Sequence, residues 1–401
     1  MAYLDLNRMT PPTRKAPLRV ALFSGNYDCI RDGANQALNR LVAFLLGEGV
    51  QVRIYAPRAP KPAFAAVGEI CPVRSFAIPG RPEYRLALGL TRAARRDLDD
   101  FRPDIIHLSA PDILGRQALN YSLRHDIPVV ASLHTRFETY LNYYRLSFLR
   151  PRIEGYLRRF YGDCEHILAP TAPIAGDLAR THDASRVSIW ARGVDPEMFG
   201  PGLRDPAFRS AHGFAPDDVV PLFFGRLVKE KGLGVFVETM SVLAARGYSV
   251  RPLIVGEGPE HGWLAGKLPG AVFTGHLEGR ALGRAVASAD ILVNPSVTEA
   301  FGNVNLEAMA SGLAIVTADV PSASTLITDR ATGLLVPPGQ PSAYAHAVMR
   351  LIDNPAIRHA LGAAALVEAG RYRWRDVLGQ VLSCYRQVLG RTDALPLLRA
   401  A

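Results

Sequence analysis

The chain has 401 residues, a formal net charge of +9, 48% hydrophobic and 21% charged residues. At roughly 100–200 residues per domain the length suggests two or three domains; the apolar content excludes a mostly disordered chain, and 35 Gly and 30 Pro without a period exclude a collagen-like or low-complexity one. The cysteines Cys29, Cys71, Cys164 and Cys384 are widely spaced with no CxxC pair, which argues against a disulfide scaffold and against a structural zinc site.

Residues 1–17 are polar with three prolines and read as a disordered arm. They lack the apolar core of a signal peptide, and no run of about 18 apolar residues follows anywhere, so a cytoplasmic protein with reduced thiols is expected. A strand at Leu18–Phe23, a loop, a helical pattern at Asn35–Gly47 and a strand at Val50–Tyr55 make a βαβ unit. Further strands are expected at Ile105–Leu108, Val129–Leu133, His166–Ala169 and Val187–Trp190, with helical patterns at Arg85–Phe101 and Ile153–Gly162. Gly200–Asp218, rich in Pro, Gly and charge, reads as an interdomain linker. The alternation then restarts. Strands are expected at Val220–Phe224, Arg251–Val255, Ala271–Phe273, Ile291–Asn294 and Leu313–Val316. Helices are expected at Gly234–Arg246, Arg280–Ser288, Asn303–Ser311, Ser342–Ile352 and Trp374–Leu389. The fold class is α/β, with two Rossmann-like doubly wound domains facing a cleft and ligands expected at the carboxyl ends of the strands.

The excess positive charge lies mainly in the first half, and nearly all the cations are arginine. Nucleic acid, an anionic membrane or a phosphorylated ligand would each suit that charge, and so would a plain arginine-rich composition.

Six segments carry candidate chemistry. Glu299-Ala-Phe-Gly302-Asn303-Val-Asn-Leu-Glu307 follows a strand and opens a helix, whose backbone N–H groups and dipole favour a phosphate. Its two carboxylates can each accept charge-assisted bonds from sugar hydroxyls, although a solvated loop acid and a dipole-stabilising acid would look alike. Gly225-Arg226-Leu-Val-Lys229-Glu230-Lys231-Gly232 also follows a strand; Arg226 and Lys231 suit a diphosphate, or an exposed basic turn. Gly256-Glu257-Gly258-Pro259 would let a base or ribose approach the backbone, or is simply a tight turn. The first loop, Ser24–Ala34, has Gly33 near the helix start but neither GxGxxG nor GxxxxGK[ST], which argues against a nicotinamide dinucleotide site and a P-loop. His134, directly after a strand, can bond a sugar hydroxyl or serve the structure. Finally, Arg136, Tyr140, Tyr143, Tyr144, Arg145, Arg150 and Arg152 interleave aromatics with cations, as suits anionic lipid or a packed helix in solvent. Asp97-Leu98-Asp99 sits in a helical basic pattern and is expected to face solvent; no Asp-x-Asp follows a strand, and no GxSxG or HExxH occurs.

Together these motifs resemble the family 4 glycosyltransferases of the GT-B fold. Glu299 and Glu307 stand at the E-x7-E spacing, and GRLVKEKG, VGEGPE and FTGHLEGRALGRAVASADILVNPS come in the family's order over about residues 18–390. SLHTRFETYL and WARGVDPEMF look closest to the subgroup of GDP-mannose-dependent α-mannosyltransferases and sulfoquinovosyl-diacylglycerol synthases. The resemblance implies an acceptor-binding domain at 18–199, the linker at 200–218, a nucleotide-sugar domain at 219–373 and a helix at 374–390 crossing back to the first domain.

It also implies residue roles. Arg226 and Lys231 would hold the donor diphosphate, Glu299 the transferred sugar and Glu307 the ribose, with Gly256, Gly258, Gly302 and Asn303 lining the donor site. His134 would lie near the anomeric centre, Gly33 near the diphosphate, and the backbone at His276 and Leu277 against the base. Sugar choice would turn on the shape around Glu299 and Phe301. The first loop departs from many relatives, which have paired glycines where this chain has Gly33-Ala34. The implied activity is a retaining hexosyl transfer with no cofactor and no metal. The donor would be GDP-mannose or a UDP-hexose and the acceptor a membrane glycerolipid at the inner face of the cytoplasmic membrane, with no role for nucleic acid. A soluble or polysaccharide acceptor is the alternative.

Overall fold

The computed structural model describes residues 17–30, 33–78, 81–134, 148, 150–299 and 301–390. The chain divides into two compact units: the first runs to Ala131 and adds Asp163–Glu165, and the second takes Ser132–Gly162 and His166 onward.

A seven-stranded sheet has the order β3-β2-β1-β6-β7-β8-β9. Its strands are β1 (Arg19–Phe23), β2 (Gln51–Ala56), β3 (Glu69–Pro72), β6 (Ile105–Leu108), β7 (Val129–Ser132), β8 (His166–Ala169) and β9 (Val187–Ile189). β2 pairs with β3 and β1, β1 with β6, β6 with β7, and β8 with β9, all in parallel. A separate hairpin joins β4 (Ser75–Ile78) to β5 (Arg81–Ala87).

A six-stranded parallel sheet has the order β12-β11-β10-β13-β14-β15. Its strands are β10 (Pro221–Phe224), β11 (Leu253–Val255), β12 (Val272–Phe273), β13 (Ile291–Asn294), β14 (Ala314–Ala318) and β15 (Leu334–Val336). Alternation along the strands builds two cores. Leu222, Phe224, Leu253, Val255, Leu292 and Ile315 face one, and Phe223, Ile254, Ile291, Val293, Ala314 and Val316 face the other. Strands buried on both faces explain why they read as unbroken apolar runs.

Two expectations are corrected. Arg85–Phe101 is not one helix: Arg85 lies in β5, Gly89 turns at φ 103°, and the helix spans only Arg92–Phe101, opened by Thr91, which accepts from Ala94 N at 3.1 Å. Of the two acids expected to face solvent, Asp99 is exposed but Asp97 is only partly so, its carboxylate taking Tyr55 OH at 2.7 Å and the Arg53 guanidinium. Segment 200–218, read as a linker, forms helical turns at Pro201–Leu203 and Pro206–Ala211. Phe208 and Phe214 join the core, and buried Arg209 donates to the carbonyls of Ser288, Ala215 and Asp218 at 2.7–2.9 Å.

One buried ionisable group bears on stability. His107, in β6, is fully buried, and loss of hydration pushes its imidazole from the usual 6.5 down to about 3.

Candidate functional site

The second sheet reverses its winding between β10 and β13, the kind of switch point outside whose carboxyl strand ends ligands bind in open α/β sheets. The loops leaving these two strands are interlocked. Gly232 has φ 75°, and a Cβ there would lie 2.8 Å from the Pro295 carbonyl. Thr298 Oγ1 donates to the Glu230 carbonyl at 3.3 Å.

This places Lys231 against Glu299, the two residues expected on a diphosphate and on a sugar. Lys231 Nζ donates to Glu299 Oε1 in a short charge-assisted bond. Both side chains are partly buried, at 27% and 17% exposure. Desolvation of two ions offsets most of their attraction, so such a pair adds little net stability. It leaves two ammonium donors on Lys231, and the second oxygen of Glu299 accepts no hydrogen bond among the described residues.

Beside the pair begins the Asn303–Ala310 helix. Its N-cap is Gly302 at φ 90°, and no side chain caps it. The opening amides therefore rely on something other than a cap. A buried relay holds this helix end: Asn294 Nδ2 donates to Asn305 Oδ1 at 2.9 Å, and Ser296 N donates to Asn294 Oδ1 at 3.2 Å. Two buried atoms in the same region, Ser296 Oγ and Asn303 Oδ1, have no partner among the described residues. Each such atom costs about 1–3 kcal/mol unless a ligand or water supplies the bond. Sequence reasoning missed Asn294, Ser296 and Asn305; their signal was polar side chains at the end of an apolar strand and in the first turn of an apolar helix. Glu307 is half-buried one turn further along.

The other expected residues fall into two groups. Arg226 is well exposed and lies 3.8 Å from Glu230, so its guanidinium is available to an incoming anion. Gly256 and Gly258, expected to admit a ligand, instead admit the chain itself: a Cβ at Gly256 would meet Gly225 O at 2.0 Å, and one at Gly258 would meet Leu227 O at 2.3 Å. They let three loops stack, with Gly256 N donating to Gly275 O at 2.8 Å. His276 is exposed on Glu278 at 2.7 Å, and Leu277 packs on the core. Phe301 is also core, edge-on to Tyr372 at 6.0 Å, so it supports the loop rather than lining an open pocket.

His134 follows β7. Arg192 Nη2 lies 2.9 Å from its Nδ1, and Ser132 Oγ lies 2.8 Å from its Nε2. A guanidinium only donates, so Nδ1 accepts, which puts the ring proton on Nε2 of the neutral ring. Trp190 stands edge-on to the ring at 5.1 Å. Arg192 was not singled out as a site residue, although it follows β9 as His134 follows β7.

In the first unit Gly33 opens the Gly33–Gly47 helix. The preceding loop is locked by its own bonds: Tyr27 OH donates to Val67 O at 2.8 Å, and Asn26 Oδ1 accepts from Arg85 N at 2.8 Å. Burial next to Asp28 pushes the Cys29 thiol up to about 12, so it is no nucleophile at neutral pH. Arg136, Tyr140, Tyr143, Tyr144 and Arg145 lie outside the described residues. Arg150 and Arg152 are exposed on the Arg150–Gly162 helix, where Arg150 pairs with Glu154 at 2.7 Å. Among the described residues no helix is long and apolar enough to cross a membrane, and no His/Cys/Asp/Glu group is placed to hold a metal ion.

Residues 31–198 match the family model described as Glycosyltransferase Family 4, and residues 218–354 match that of Glycosyl transferases group 1. The chain is 33% identical over 390 residues to a GDP-mannose-dependent alpha-mannosyltransferase of Mycolicibacterium smegmatis, covering 96% of this chain and 100% of that one. It is 30% identical over 382 residues to the sulfoquinovosyl transferase SQD2 of Arabidopsis thaliana, covering 93% and 74%. Among solved structures, the sucrose-phosphate synthase of Thermosynechococcus elongatus has the same fold, with a TM-score of 0.75 at 19% identity over 93% of this chain and 99% of that one.

Proposed function

We infer the function from one premise: the chain belongs to the family 4 glycosyltransferases of GT-B fold, and is a hexosyltransferase that uses a nucleotide sugar. Our reading is that it moves a hexose from GDP-mannose or a UDP-hexose to a membrane glycerolipid with retention of configuration. The named relatives support this choice, one by its GDP-mannose donor and the other by its sulfoquinovosyl transfer.

The observation that carries the site assignment is the meeting of Lys231 and Glu299 between the β10 and β13 loops, beside an uncapped helix start. In this reading the donor diphosphate takes over Lys231 and adds Arg226, while the amides at Gly302 and Asn303 meet its charge. Glu299, released from Lys231, accepts the hexose hydroxyls; Glu307 accepts those of the ribose. The base lies along the backbone at His276 and Leu277. The transition state places positive charge on the sugar and negative charge on the leaving diphosphate, and preorganised cations stabilise the second without a metal. The acceptor hydroxyl attacks the same face, and the departing diphosphate oxygen takes its proton. His134, its proton held on Nε2, stands near the anomeric centre.

Nucleotide release from a panel of UDP- and GDP-sugars, with and without lipid, tests this. Release from one donor that lipid stimulates is the expected result. Release indifferent to lipid moves the acceptor to a soluble glycan, and release from no donor removes the reading.

A further inference from the structure

We propose that Tyr372–Trp374, where the last helix begins, is a brace that positions His134 and the Glu299 loop for one and the same transfer. The inference rests on the site roles proposed above and assigns residues to which they gave no part.

One side of the brace presses on the chain that leaves β9. Trp190 and Arg192 are buried and both reach His134. The Trp190 ring stands edge-on to the imidazole, and the Arg192 guanidinium lies 5.6 Å over the Trp190 ring while it donates to Nδ1. Two residues apart, they project to one side, as alternate side chains of an extended chain do. Gly193 meets Trp374 instead: a Cβ on it would lie 2.6 Å from the indole Cδ2 and 2.8 Å from Trp374 Cα. Any larger residue would push the two chains apart. Val194 N then donates to Tyr372 O at 2.7 Å, and Val194 pairs with Arg373 in a parallel bridge. The main chain just beyond Arg192 is thus fixed twice, by a hydrogen bond and by an indole, and these contacts set where the guanidinium meets His134.

The other side supports the loop that follows β13. The Tyr372 ring stands edge-on to Phe301, with centroids 6.0 Å apart. Phe301 lies between Glu299 and the Gly302 helix start. Tyr372 OH donates to Thr325 O at 3.4 Å, and its ring packs on the core that also holds Phe301 and Val194. Two residues of one short segment therefore back both groups assigned to the sugar: Trp374 acts through Gly193 and Arg192 on His134, and Tyr372 acts through Phe301 on Glu299. Close-packed interiors pass a displacement on rather than absorb it, so the brace keeps the two groups in register. Tyr372 and Trp374 are positioning residues.

The test reads His134 in the full chain by 15N NMR of the imidazole, its signals assigned by their loss in His134→Gln. The wild type should show the proton on Nε2. Trp374→Leu removes the indole behind Gly193 and should spread the proton over both nitrogens. With a donor that is turned over, Trp374→Leu should lower kcat by about ten- to a hundredfold and alter its pH profile, the scale of a misplacement of about 1 Å. Its donor KM should hold, whereas Tyr372→Leu should raise the donor KM. Trp374→Phe and Tyr372→Phe keep a ring in place and should restore most of each loss. Gly193→Ala is the second variant, which serves if Trp374→Leu does not fold: it drives the same two chains apart and should change the His134 signals in the same way. Signals that stay put in both variants, or kinetic losses that are the same for Trp374→Leu and Tyr372→Leu, would overturn the brace. The NMR arm needs no substrate. Changed signals without turnover of any donor sink the donor reading alone, and turnover with unmoved signals sinks the brace alone.

Discussion

The two sheets each have a switch point, and the loops around them are built to opposite ends. In the first sheet, winding reverses between β1 and β6. Among the described residues there, polar groups bond to one another: Asp112 caps the Ile113–His125 helix by accepting from Gly115 N at 2.7 Å, Asn26 accepts from Arg85 N, and Cys29 Sγ leans on Asp28 at 3.6 Å. In the second sheet, between β10 and β13, the helix start has no side-chain cap, two buried oxygens lack partners among the described residues, and the central ion pair has donors and an acceptor to spare. The same winding thus makes a finished joint in one place and an unfinished one in the other. An unfinished polar site is one that a ligand completes.

The sharpest way to break that contrast is to truncate the second site and ask what is lost. Arg226→Ala should remove about 3–4 kcal/mol of transition-state stabilisation, a loss of a few hundredfold in kcat/KM, as for one preorganised electrostatic contact. Glu299→Ala should lower kcat by a similar factor, while Glu307→Ala should mainly raise the donor KM. Thermal stability should barely move for any of the three. Small, equal kinetic effects, or a melting temperature that falls with activity, would show these residues to be structural.

Arg192→Ala should cost about 1.5–3 kcal/mol, the range for a hydrogen bond from a charged group. Without the guanidinium donor at Nδ1, the His134 proton is free to occupy either nitrogen. The kinetic signature is a fall in kcat with an altered pH profile, which Arg192→Lys should restore in part. A uniform loss of folded protein with an unchanged profile would make Arg192 a packing residue.

The interior of the first sheet should instead show itself in acid. His107 stays neutral in the fold to about pH 3, whereas the unfolded chain protonates it near 6.5. Below 6.5 the unfolded state binds the extra proton, so stability falls by roughly 1.4 kcal/mol per pH unit until about pH 3, near 2 kcal/mol by pH 5. Denaturant titrations of the wild type and His107→Gln, each at neutral and acid pH, isolate this group. Parallel pH curves would refute the assignment.

How much of this was legible depends on whether a feature is local. Both sheets, with most strands, were written in apolar runs such as Ile291–Asn294, since a strand buried on two faces has no pattern to disguise it. Lys231, Glu299 and the Gly302 helix start were legible because each lies in the loop that follows a strand. The hairpin was not: Phe76, Ile78 and Leu88 alternate over too few residues, and Arg85 onward imitates a helix until Gly89 interrupts it. The duty of Gly256 and Gly258 was also hidden. Their glycine identity is local, but what fills the space above them, the Gly225–Leu227 backbone, comes from another loop.

The smallest expected effect is the most discriminating about the closed joint. Asp112 caps a helix, yet burial raises its carboxyl above the usual range despite backbone bonds that lower it. The ionised form is therefore penalised in the fold, and the stability this group contributes is greatest below the unfolded carboxylate range and declines as pH rises through the folded value. Asparagine caps as well as aspartate and carries no charge. At neutral pH Asp112→Asn should hold or slightly raise stability, whereas Asp112→Ala should lose about 1 kcal/mol with the cap. As the pH falls, aspartate becomes protonated and the advantage of Asn should vanish. If Asn is instead destabilising at neutral pH and activity drops with it, the charge at Asp112 is wanted by a ligand, and the first switch point is as unfinished as the second.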